Sequence, residues 1–255
     1  MSKGQLGYEY VIIVGILVTF LVPFFYYFFD VLHHQLNTYY ATAAVVTIAE
    51  ATRTVTNLYS GSTVRVPVRV PGNVVGVTSS GGMVALQFSD GEAIGETIAG
   101  QAQVGPLTGT GPKTARVTNI VDGYLTISFG GPVIACLTLE GGRISRKTCE
   151  SQLTTSFTMM PSDKMVVVGS DISSGTTIKI EKEEKGVWSE ENPHDEAWLL
   201  DNFPEEATEA ADGLDMQEPI FGKGNYRMTL VASGGQTSNT VYFIVGSGGG
   251  GGEAD

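Results

Sequence analysis

The sequence predicts an α+β protein: a long N-terminal hydrophobic helix followed by an all-β head. Three observations carry this. Tyr10 to Phe29 is a run of twenty residues without a charge. Glycine and proline are absent from Asp30 to Ser60, and Gly61 is the first stop signal. Beyond it the pattern changes to short alternating segments rich in Val, Ile and Thr, separated by Gly and Asp-Gly.

Twenty helical residues span about 30 Å, the thickness of a bilayer's hydrocarbon core. A cleavable secretory signal has a shorter apolar stretch and a small-residue cleavage site, whereas here "DVLHHQLNTYY" follows. Past the run, Leu32, Leu36, Tyr39, Ala43 and Val46 recur at spacings of four and three. They form one apolar stripe, expected to lean on the head. A helix from Gln5 to about Tyr59 would be roughly 80 Å long. Pro23 removes a backbone donor and is expected to bend or break the helix. His33 and His34 are neighbours, point in different directions on a helix, and are read as interfacial residues rather than joint metal ligands.

Glu9 is the anomaly, a carboxylate one step from the apolar run. At the first turn of a helix the macrodipole favours such an anion. Its spacing carries more: "KGQLGYEY" followed by an apolar helix resembles the class III signal peptide of archaeal type IV pilin-like proteins. The resemblance covers about 25 residues, with Gly7 standing where many relatives carry a hydroxyl residue. It implies that a prepilin peptidase cuts between Gly4 and Gln5, removing 1–4 as a leader. It also implies that Glu9 pairs with the new α-amino group of Gln5 on a neighbouring subunit, since charges buried in an apolar bundle need partners. The implied partners are thus the membrane before assembly, the peptidase, and further copies of the chain in a helical filament. The alternatives are a minor pilin and an uncleaved, membrane-anchored surface protein.

In the head, "STVRVPVRVP" places Val64, Val66, Val68 and Val70 on one face and Arg65, Pro67 and Arg69 on the other. The prolines suit an edge strand. Further strands are expected in "NVVGVTS", "MVALQFS", "KTARVTNIV", "YLTISF" and "VIACLTLE". A second set begins at Thr155 and closes with "YRMTLVASGGQTSNTVYFIV". That closing pair, with Met228, Leu230, Val241, Phe243 and Val245 as core candidates, reads like the last hairpin of an immunoglobulin-like sandwich. The expected organisation is a helix over 5–60, a β-sandwich domain over 61–153, a second β domain over 154–246, and a flexible tail over 247–255. A single larger sandwich is the alternative.

The two cysteines are Cys136 and Cys149. A two-residue turn at Gly142–Arg143 would place them opposite each other at a non-hydrogen-bonded site of a hairpin. The expectation is a cross-strand disulfide with Leu137 and Leu139 facing away from it; two free thiols or another register are the alternatives.

The stretch 189–219 carries eleven Asp and Glu residues and no Lys or Arg. It lacks the D-x-[DN]-x-[DN]-G spacing of a calcium loop and is read as a solvated acidic insertion. A formal charge of −12 argues against nucleic acid. No catalytic apparatus is legible: there is no G-x-S-x-G, and Pro112 interrupts the G-K-[ST] element of "GPLTGTGPKT". His194 lies in the acidic insertion, apart from the other two histidines. No cofactor and no metal site are expected.

Overall fold

A computed structural model describes residues 3–139, 144–152, 156–160, 165–172, 176–190, 212–215 and 221–246. It is α+β, with a long N-terminal apolar helix followed by a head of several β-sheets. Helix α1 (Lys3–Thr56) is 54 residues, about 80 Å. It continues through Pro23, which therefore does not end it. Thr19, Thr38, Thr42 and Thr47 each donate a hydroxyl to the carbonyl four residues back. Their polar groups are satisfied within the helix even where its surface is apolar.

The strands follow in chain order: β1 (Thr63–Val70), β2 (Val74–Ser80), β3 (Met83–Phe88), β4 (Ala93–Thr97), β5 (Gln101–Val104), β6 (Gly111–Val121), β7 (Tyr124–Ser128) and β8 (Val133–Leu139). A short helix, α2 (Arg146–Ser151), comes next. The second set is β9 (Phe157–Met159), β10 (Met165–Ser170), β11 (Thr177–Glu184), β12 (Val187–Glu190), β13 (Asp212–Asp215), β14 (Gly224–Val231) and β15 (Val241–Val245).

Among the described residues the strands form four sheets, in the orders β1-β6-β7-β5, β2-β3-β4, β13-β10-β8 and β12-β11-β14-β15-β9. β1 is an edge strand, a place that suits its Pro67, with Val68 and Val70 buried and Arg65, Pro67 and Arg69 exposed. Asp122 and Gly123, both at positive φ, form the two-residue turn joining β6 to β7. At Gly100 (φ +104) a Cβ would lie 2.1 Å from the carbonyl oxygen of Gly123. Only glycine permits that approach.

The first core surrounds α1. Ala41, Ala44, Val45, Ile48, Ala49, Ala51 and Val55 are buried with Val68, Val84, Leu86, Val117, Leu125 and Ile127 from the two sheets beside the helix. The second core lies under the five-stranded sheet, where Tyr226 and Phe243 stack at 5.2 Å and Phe221 meets both rings. Between them, β8 and β10 are buried on both faces. Ile134, Leu137, Met165 and Val167 face the second core; Ala135, Cys136, Val166 and Val168 face a smaller cluster with Ile120, Tyr124 and Cys149.

The division expected at 153/154 falls after β8, yet β8 pairs with β10 and contributes to the second core. Strand pairing thus carries residues 133–139 across that boundary. The two parts are also tied by polar contacts: Thr126 to Ser170 at 2.8 Å, and Asp171 accepting from both Arg116 and Ser128.

Candidate functional site: the uncovered helix and the head surfaces

Every residue from Tyr10 to Asp30 is exposed, although nearly all are apolar. This part of α1 is long and apolar enough to cross a bilayer. Its upper half is dense in rings: Phe24 with Phe25, Phe25 with Phe29, and Phe28 with Phe29 lie at centroid separations of 5.9, 6.4 and 6.0 Å. Gly4, Gln5 and Glu9 lie on the helical backbone of α1, while their side chains, and Met1 and Ser2, fall outside the described residues.

The head binds the helix on a face different from the one the sequence suggested. Leu32, Leu36, Tyr39 and Ala43 are exposed, Tyr39 at 67%, and Val46 is half-buried. The buried face is instead Ala41, Ala44, Val45, Ile48, Ala51, Thr52 and Val55. At about 100° per residue the two stripes lie on roughly opposite sides of the helix. Four of the buried stripe's members are alanine or threonine, weak in hydrophobic signal but small enough for sheets to approach closely. Thr52 also accepts from the backbone N–H of Ala99, and Thr56 donates to the carbonyl of Ala99. Those two bonds pin β4's far end to the helix. At the opposite end Arg69 lies over the Tyr40 ring, 4.4 Å from its centroid.

The disulfide between Cys136 and Cys149 is present, with Cα atoms 5.0 Å apart. It is not a cross-strand bridge: Cys149 sits on α2, capped by Ser145, and the link joins that helix to β8. The turn positions Gly142 and Arg143 lie outside the described residues. Leu137 and Leu139 do face away from the bridge into the second core, because strand neighbours alternate sides.

The outer face of the five-stranded sheet carries a cluster that sequence reading missed. Arg227 donates twice to Glu181, at 2.7 and 3.0 Å, and lies 4.7 Å from the centre of the Trp188 ring. Trp188 meets Tyr242 edge-on at 5.9 Å. The Arg227 guanidinium holds the Glu181 carboxyl below its ordinary range. The available signal was cross-strand register, which pairs Glu181 with Arg227 and Arg227 with Tyr242. It emerges only once the strands are aligned.

The acidic insertion is described in part. Glu190 ends β12, and Asp212–Asp215 form β13 against β10. The rest of its acidic residues and His194 lie outside the described residues. Among the described residues no three His, Cys, Asp or Glu side chains gather as a metal cage. No family model matches the chain, and no curated protein matches it.

Proposed function

We propose that the chain is a structural subunit of an archaeal type IV pilus-like surface filament, assembled through α1, with the β head outward for adhesion or surface contact. One observation carries the reading: the head covers α1 only from Tyr40 and Ala41 onward and leaves a largely apolar surface below them, interrupted by Asp30, His33 and His34. A bilayer accounts for Tyr10 to Phe29. Asp30 to Tyr40 adds about 15 Å, whereas a headgroup layer is roughly 5–8 Å thick. Leu36 and Tyr39, exposed at 41% and 67%, therefore extend beyond what lipid would cover. Neighbouring copies of the same helix would cover them, and burying such side chains is the cohesive term of an apolar bundle.

Prepilin processing at Gly4–Gln5 and pairing of Glu9 with the new terminus belong to the same proposal, as does the passage from membrane to extracellular filament. The deciding measurement is the N-terminal peptide mass of surface-exposed protein, together with electron microscopy of the cell surface. A chain beginning at Gln5 within filaments is expected. A chain beginning at Met1 or Ser2, dispersed in the membrane, would leave the displayed, uncleaved surface protein as the better reading.

A further inference from the structure

From Tyr10 to Ala49 the chain runs forty residues with one carboxylate, Asp30, and two imidazoles, His33 and His34. The histidines lie three and four positions beyond Asp30. They straddle it one helical turn up, about 60° to one side and 40° to the other. All three side chains are exposed, and Asp30 makes no ion pair among the described residues. Apolar surface flanks this collar on both sides, with Phe28 and Phe29 below it and Leu36 and Tyr39 above.

We infer that Asp30 and the His33–His34 pair form an ion-pairing contact between copies of this chain, and that it makes their association pH-dependent. The inference rests on the filament reading above. Wherever helices pack around this collar, the Asp30 carboxylate loses water and requires a cation. No Lys or Arg lies within the forty residues, and Lys3 and Arg53 stand near the two ends of α1, so along this stretch the complement the helix offers is imidazolium. The collar is self-complementary: one carboxylate and two imidazoles on every copy meet the same set on the next.

The charged groups of the head at this end are Arg69, on Tyr40, and Lys113, Asp90 and Glu92 on the strands and loop beside it. A pairing imidazole takes up its proton more readily than a free one. The contact is therefore strongest where imidazole is protonated and carboxylate ionised, around pH 5–6, and weakens as pH rises toward 8. Below about pH 4 protonation of the carboxylate removes it as well.

The test compares full-length, processed wild-type protein with Asp30→Asn and with His33→Gln/His34→Gln. The readout is the fraction in sedimentable assemblies from pH 5 to 9, at fixed ionic strength. One unit of differential proton affinity is tenfold in an equilibrium. Association of the wild type is expected to be about tenfold stronger at pH 6 than at pH 8, and that ratio should collapse toward one in both variants. Wild-type assemblies whose pH profile persists unchanged in the variants would overturn the collar and leave the filament reading standing. A wild type that stays monomeric at every pH would overturn both.

Discussion

Asn239 lays its side-chain amide along the backbone of Ile134, accepting from its N–H at 2.8 Å and donating to its carbonyl at 2.9 Å. Gln152 does the same at Leu137, at 2.8 and 2.6 Å. Both contacts fall on the open edge of β8, the terminal strand of its sheet. Two carboxamides thus stand in for a neighbouring strand and close an edge that would otherwise offer unpaired backbone groups. Replacing either residue by alanine orphans one buried donor and one acceptor. Urea unfolding of the full chain in detergent should show a loss of about 1–3 kcal/mol per variant. The double variant should also self-associate through β8.

The two faces of α1 separate stability from assembly. Ile48 is fully buried in the first core, so Ile48→Ala should destabilise the fold by about 2–5 kcal/mol. Leu36 is on the exposed stripe, and Leu36→Ala should change stability by less than about 0.5 kcal/mol while lowering the sedimentable fraction. Equal assembly by Leu36→Ala and wild type would show that this stripe is not a contact between copies.

Removal of the disulfide opens a link spanning 13 residues. By the chain-entropy relation a loop of this size is worth about 3 kcal/mol. Cys149→Ser should therefore lower the unfolding free energy by about that amount. Alkylation of the wild type should label both cysteines only after reduction; equal labelling without reductant would refute the link.

Burial raises the Tyr124 hydroxyl to about 12, and its O–H donates to the carbonyl of Ala135 at 3.3 Å. The folded state thus holds this proton more tightly than the unfolded chain, whose tyrosines titrate near 10. Its contribution is complete below pH 10 and is lost as pH rises from 10 through 12. Tyr124→Phe should cost about 0.5–1.5 kcal/mol at pH 7 and flatten the alkaline part of the stability profile.

Under the pilin reading, Glu9→Ala should leave cleavage between Gly4 and Gln5 largely intact and impair filament formation. Peptide mass and electron microscopy on the same cells separate the two effects. Normal filaments from Glu9→Ala would remove the charge-pairing role.

The strands that alternate were legible: β3 buries every second residue, β14 does so from Tyr226 to Leu230, and β1 and β11 do so at Val68 and Val70 and at Ile178 and Ile180. Strands β4, β5 and β12 were not. "AIGET", "QAQV" and "VWSE" are short, mixed in polarity, and held by neighbours rather than by their own pattern. The parallel pairings of β5 with β7 and β9 with β15 leave no local trace, because the partners are distant in sequence.

By itself the sequence determined the uncharged span of α1, the end of that helix near Gly61, the alternation of the main strands, and which two cysteines were available to pair. These are properties of spacing and number, written within a few residues or forced by having two thiols. Tertiary structure decided which side of α1 the sheets grip, that Cys149 reaches Cys136 from a helix, and that β8 belongs with β10. A helix offers every direction in turn, and at the level of the head the sheets close on Ala41, Ala44, Val45, Ile48 and Thr52 and leave Ala43 on the far side. Leu36 and Tyr39 lie below the head and stay exposed.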